Sequence, residues 1–125
     1  MRKTRVPGDK SITQRALIVA SLATGESRLS GLLPSADPQA TAAVLRALGV
    51  PIATLPGDGS ELRVAGLGLQ GLRAPGHPLD FQNSGTGARL MLGVLSGQAL
   101  TTTLTGDESL SSRPMARVTR PLTKM

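Results

Sequence analysis

Val6-Pro7-Gly8-Asp9-Lys10-Ser11-Ile12-Thr13-Gln14-Arg15 is the stretch on which the reading of this chain turns. An extended lead-in runs into a Pro-Gly turn, which opens onto a helix at Ser11, whose hydroxyl is placed to cap the first helical N–H groups. A helix N-terminus carries unpaired donors and partial positive charge, and so suits an anion. Lys10 sits beside the turn, and Arg15 lies one helical turn beyond Ser11 on the same face. Two cations, a hydroxyl and a helix start thus converge on one spot. Taken alone, the stretch also reads as an ordinary capped helix with solvated basic residues.

Outward from this stretch, the chain alternates short extended pieces with helices. Ala16, Leu17, Val19, Ala20 and Ala23 form an apolar stripe at helical spacing, ended by Gly25. Ser27 to Leu33 alternates as a short strand. Asp37-Pro38 reads as a capping residue followed by proline at the first helical position, opening a helix that stops at Gly49. Val50–Leu55 and Glu61–Ala65 flank Pro56-Gly57-Asp58-Gly59 as a hairpin. Residues 66–78 are Gly- and Pro-rich connecting turns.

From Leu79 the plan restarts. Leu79-Asp80-Phe81-Gln82 is extended, Asn83-Ser84-Gly85-Thr86-Gly87 is a polar glycine turn, and residues 86–96 form an apolar helix containing Arg89. Leu100–Leu104 is a strand by its threonines, Gly106–Ser112 a loop, and Arg113-Pro114 opens a helix to Met125. Arg15 to Arg89, Arg46 to Arg120 and Leu48 to Leu122 are each 74 residues apart, and Pro38 to Pro114 is 76. The spacing implies a repeated mixed α/β unit, the first copy at about 6–75 and the second at about 76–125, cut off before its last two strands. On this reading residues 1–125 are a partial domain, and the chain is a fragment.

Composition narrows the function classes. The net charge is +6, from 14 Lys and Arg against 8 Asp and Glu, but the single aromatic residue, Phe81, leaves no stacking platform for nucleic acid. The basic residues after Lys3 are scattered, which suits small polyanionic metabolites better. No apolar run approaches a membrane span and no signal segment precedes the turn, so a cytoplasmic location is expected. The absence of cysteine removes disulfides, a thiolate nucleophile and Cys-based zinc sites, and no metal-ligand spacing occurs. His77, in a Gly-Pro loop, reads as a surface histidine.

The second glycine turn repeats the logic of the first. Gly85 lets backbone approach a ligand with no Cβ in the way, and Asn83, Ser84 and Thr86 offer short polar groups at a helix start. Arg113 supplies a rigid fork of donors matched to carboxylate or phosphate.

These blocks carry a resemblance. Pro7-Gly8-Asp9-Lys10-Ser11 with Arg15, Leu79 to Arg89, and Gly106-Asp107-Glu108-Ser109-Leu110 leading to Arg113-Pro114-Met115 resemble the 5-enolpyruvylshikimate-3-phosphate synthases, in that family's order. The resemblance covers nearly the whole chain but only the N-terminal portion of a family member. It implies the enolpyruvyl transferase fold, an inside-out α/β barrel of β-α-β-α-β-β units, with about one and two-thirds units of one domain present. It implies transfer of the enolpyruvyl group of phosphoenolpyruvate to the 5-hydroxyl of shikimate 3-phosphate, with release of phosphate and without metal or organic cofactor.

Carried over residue by residue, Lys10 contacts phosphoenolpyruvate and lies near the shikimate phosphate, and Ser11 and Arg15 hold the shikimate carboxylate. Gly85 presents backbone to phosphoenolpyruvate with Asn83 beside it, and Arg113 binds phosphoenolpyruvate. No catalytic acid or base is carried over, because the family supplies these largely from its second domain. The chain alone is therefore expected to be weakly active, or to need a complementing chain. Thr13-Gln14 departs from the usual Ser-His or Ser-Asn, and Gln82 stands where a glycine is common. Leu90 occupies a place that plant and enteric enzymes fill with proline, which bears on inhibition by glyphosate. The UDP-N-acetylglucosamine enolpyruvyl transferases are the nearest rival, with Lys-Asn in place of Lys10-Ser11 and often a loop cysteine. A non-catalytic anion-binding fragment is the rival from another class.

Overall fold

The computed structural model describes residues 1–125. After an extended lead-in come helix α1 (Lys10–Leu22), strand β1 (Thr24–Leu29), helix α2 (Ala36–Ala47) and strand β2 (Leu62–Leu67). Strand β3 (Leu79–Asp80), helix α3 (Gly85–Ser96), strand β4 (Leu104–Thr105), the single turn α4 (Glu108–Ser111) and helix α5 (Ala116–Lys124) follow. The order is the expected alternation of strand and helix, with several boundaries moved for identifiable reasons.

The first correction concerns the cap of α1. Asp9, not Ser11, is the N-cap: its Oδ1 accepts from the Ile12 amide at 2.7 Å. Asp9 has extended dihedrals immediately before the first helical residue, whereas Ser11 is already inside the helix. The buried face of α1 is also rotated from the expected stripe. Thr13, Gln14, Leu17, Ile18, Ala20 and Ser21 are buried, while Val19 and Ile12 face solvent. Gln14 meets Thr41 of α2 and Ser84 at the start of α3. Thr13 donates to the Asp9 carbonyl and accepts from the Leu33 amide, and Ser21 donates to the Leu17 carbonyl of its own helix, contacts that the apolar pattern alone does not reveal.

The expected hairpin is absent. Residues 50–55 form no strand, and β2 pairs antiparallel with β1, in register from Thr24↔Leu67 to Leu29↔Leu62. Val50, Ile52 and Leu55 are buried nonetheless, as an extended segment closing the core, with the Arg46 side chain donating to the carbonyls of Ile52 and Ala53. Alternating apolar residues thus reported burial but not pairing. α2 begins at Ala36, so Asp37 lies in the first turn and is not its cap. Gly49, just past α2, has φ +98, a left-handed helix exit that glycine adopts without Cβ strain.

In the second half, β3 and β4 run parallel, Leu79 opposite Leu104 and Asp80 opposite Thr105, with α3 as the crossover between them. The strand expected over residues 100–104 is reduced to Leu104–Thr105. The loop after it contains α4, capped by Asp107, and α5 begins at Ala116, just past Arg113-Pro114. One core of 20 buried residues joins the halves, with Phe81, Leu17, Leu45, Leu48, Leu79 and Met91 among its largest fully buried members. Each such side chain contributes roughly 1.5–3 kcal/mol by leaving water. α2 buries one whole face in this core, while α5 buries no residue. No helix is long and apolar enough to cross a membrane.

Candidate anion-binding site

Three segments carry the candidate groups: the first turns of α1, the turn Asn83–Gly87 opening α3, and the loop from Gly106 to Arg113. The α3 turn is held from within. Ser84 is the N-cap, its buried Oγ accepting from the Gly87 amide at 3.1 Å. This fixes Gly85 as the first helical residue, with its backbone beside two guanidinium groups. A Cβ built on Gly85 would lie 2.7 Å from Arg89 Nη1 and 2.9 Å from Arg113 Nη1. Glycine is therefore what allows both cations to close over that backbone.

Arg113 is oriented by Asn83, whose side-chain oxygen accepts from Nη2 at 2.8 Å. The Asn83 amide nitrogen donates in turn to both Asp107 carboxylate oxygens, at 3.1 and 3.0 Å. Asp107 also caps α4 by accepting from the Leu110 amide at 2.8 Å. These donors hold its carboxyl below the usual aspartate range: first the Leu110 N–H, then the Asn83 amide, then the field of Arg113. The loop, the turn and the arginine thus form one connected unit.

Arg89 reaches across to donate to the Pro114 carbonyl at 3.1 Å, and its Nε is buried with no partner. Two guanidinium groups side by side, one with an unmatched donor, repel each other and are relieved by an anion placed between them. In the sequence Arg89 stood out by its 74-residue spacing from Arg15 and as the last residue of a motif block, but not as a binding group. Asp107 was legible only as part of a motif block, not as the group that sets Asn83.

On α1, the Lys10 ammonium pairs with Asp37 Oδ2 at 3.0 Å, with half of the lysine side chain exposed. Arg15 folds back over its own helix and donates to the Ser11 carbonyl at 3.2 Å. The Asp9 carboxylate already occupies the helix start, so positive charge on this side comes from Lys10 and Arg15, not from free N–H groups. Of the six residues expected to bind, Asn83, Gly85 and Arg113 meet directly, and Lys10, Ser11 and Arg15 form a second group on α1. The groups are joined through the buried core, where Gln14 Nε2 donates to Ser84 Oγ at 2.7 Å.

No three His, Cys, Asp or Glu side chains cluster to hold a metal ion. His77 is exposed, its Nδ1 lying 2.9 Å from the Pro78 carbonyl oxygen. The arrangement provides fixed positive charge and oriented amides, suited to binding phosphates and carboxylates.

Comparison with known proteins decides the family. The family model for EPSP synthase (3-phosphoshikimate 1-carboxyvinyltransferase) matches residues 2–125. The chain belongs to the EPSP synthase family. It is 56% identical over 126 residues to the 3-phosphoshikimate 1-carboxyvinyltransferase of Alkalilimnicola ehrlichii, covering 98% of this chain and 27% of that protein. It is 59% identical over 121 residues to that of Gloeobacter violaceus, covering 96% and 28%. The solved EPSP synthase of Acinetobacter baumannii superimposes with a TM-score of 0.92 at 42% identity, over 98% of this chain and 27% of that one. The chain thus spans about a quarter of the length of the EPSP synthases it matches.

Proposed function

We propose that this chain carries the anion-binding part of an enolpyruvyl transferase, recognising shikimate 3-phosphate and phosphoenolpyruvate. The observation that supports it most is the convergence of Arg89 and Arg113 on the Gly85 backbone, with Asn83 and Asp107 orienting Arg113. Both proposed ligands carry a phosphate and a carboxylate, and drawing two such anions together requires positive charge fixed beforehand. In this reading Arg113, Gly85 and Asn83 take phosphoenolpyruvate. Ser11 and Arg15 take the shikimate carboxylate, and Lys10 contacts phosphoenolpyruvate and lies near the shikimate phosphate.

The reaction is transfer of the enolpyruvyl group to the 5-hydroxyl with release of phosphate. Orientation of two reactants is a large part of such chemistry, and it is the part these residues supply. The proton transfers to the methylene carbon and from the hydroxyl need titratable groups that we assign to the remaining length of the family, in the same chain or a complementing one. We further propose that residues of about 6–75 and 76–125 are successive β-α-β-α-based units of one domain, in keeping with the spacing of Arg15 and Arg89.

Titration calorimetry tests the assignment. Shikimate 3-phosphate and phosphoenolpyruvate are expected to bind, with affinities lowered by salt, and a short oligonucleotide is expected to bind more weakly. Equal binding of the oligonucleotide, or no heat from either metabolite, would overturn it.

A further inference from the structure

Gln14 lies in the second turn of α1 with no exposed surface; its Oε1 has no hydrogen-bond partner, so the Nε2 group carries the polar contacts of this amide. Its Nε2 donates to two hydroxyls from two other parts of the fold: Thr41 Oγ1 on α2 at 3.1 Å and Ser84 Oγ at the start of α3 at 2.7 Å. Thr41 and Ser84 are also fully buried. Ser84 Oγ then accepts from the Gly87 amide. A Cβ on Gly87 would meet all three side chains, at 2.7 Å from Ser84 Oγ, 2.8 Å from Thr41 Oγ1 and 3.2 Å from Gln14 Nε2. Three helices therefore close on a single amide.

The same two helices meet again one turn earlier. Lys10 stands four residues before Gln14, Asp37 stands four before Thr41, and Lys10 and Asp37 pair at 3.0 Å. The α1–α2 contact is thus a ladder of two polar rungs, one partly exposed and one buried. Only the buried rung extends to α3. Its third partner, Ser84, is the residue before Gly85, over which Arg89 and Arg113 close.

We infer that Gln14 is a positioning residue, fixing the first turns of α1, with Lys10, Ser11 and Arg15, against the Asn83–Gly87 turn of α3. Its consequence for ligands rests on the binding function proposed above. Buried hydrogen bonds are directional and costly to leave unmade, so this amide sets the spacing of the two turns more tightly than apolar contact does. An apolar side chain of equal length fills the space but leaves the Thr41 and Ser84 hydroxyls without their common partner.

Amide hydrogen exchange without ligand decides the inference. Gln14→Met is expected to speed exchange at Gly87, 73 residues away, by about tenfold, with Leu45 and Val64 in the core little changed. Unchanged exchange at Gly87, or equal acceleration throughout the core, overturns it. Should Gln14→Met fail to fold, Ser84→Ala is read at the Gln14 side-chain amide, where faster exchange supports the inference and unchanged exchange refutes it. A second measurement uses inorganic phosphate, small enough for the Arg89–Arg113 side alone, and shikimate 3-phosphate in saturating phosphate. Gln14→Met should keep the first affinity and lose about tenfold in the second. Equal losses in both would mark a merely structural residue and refute positioning. A parent chain that binds neither ligand would refute the proposed function, and the Gly87 exchange would still decide the role of Gln14.

Discussion

Asn83 holds Arg113 by its side-chain oxygen at 2.8 Å and Asp107 by its side-chain nitrogen, so one amide joins a cation to an anion across two loops. Arg113 is aimed by this chain of bonds and not by local backbone, so the guanidinium of a loop arginine is fixed in orientation.

The first prediction concerns pH. The Asp107 carboxyl is held below its ordinary value of 3.8 by the Leu110 amide, the Asn83 amide and Arg113. Because the folded value is the lower, the contribution of Asp107 is fully present above the ordinary carboxylate range. It is lost as pH falls through the depressed folded value. NMR titration of the folded chain should show Asp107 titrating below a free aspartate, and Asp107→Asn should remove that part of the acid dependence. A titration at or above 3.8 contradicts the arrangement.

Gly85→Ala tests the closing of the arginines. Its Cβ would meet only the tips of Arg89 and Arg113, which are flexible side chains and not backbone. Thermal stability should stay within about 3 °C of the parent. Phosphoenolpyruvate affinity should fall about tenfold as the guanidinium groups are driven aside, a loss of about 1.4 kcal/mol. Unaltered affinity by calorimetry would place the ligand elsewhere.

The two rungs between α1 and α2 should differ in worth. Lys10–Asp37 is partly exposed and screened by water on the lysine side, so Asp37→Asn should cost less than about 1 kcal/mol in urea unfolding. Thr41→Val leaves a Gln14 donor unmet in the interior and should cost roughly 1–3 kcal/mol. The reverse ranking would mean that the buried amide finds another partner.

Gln82 and Gly8 lie 74 residues apart and should respond in opposite directions. Gln82 has φ +51, a left-handed conformation costing a side-chain-bearing residue about 1–2 kcal/mol. Gln82→Gly removes that cost but adds freedom to the unfolded chain, for a net gain of roughly 0.5 kcal/mol. A Cβ on Gly8 would fall on the Gly31 carbonyl oxygen and lie 2.9 Å from the Leu33 amide, both backbone. Gly8→Ala should therefore cost about 1–3 kcal/mol. Urea unfolding of the two variants measures both signs.

By itself the sequence determined the alternation of strands and helices, the 50–55 strand excepted, and the three motif blocks, and through them the family. These features are local: a Pro-Gly turn, a Ser-capped glycine turn and an Arg-Pro step each bias the few residues around them. What only the tertiary structure decided was who meets whom. Asp9 displaced Ser11 as the cap of α1, β1 took β2 as its partner in place of the expected 50–55 hairpin, and Val19 faced water while Gln14 entered the core. Arg89 and Asp107 joined the candidate site, and Asp37 exchanged an expected cap for Lys10. Apart from the Asp9 cap, which is local, these outcomes depend on groups far apart in the chain meeting one another. The buried Gln14 Nε2 is matched by Thr41 and Ser84, and no local pattern around Gln14 records that those hydroxyls, 27 and 70 residues on, will be there.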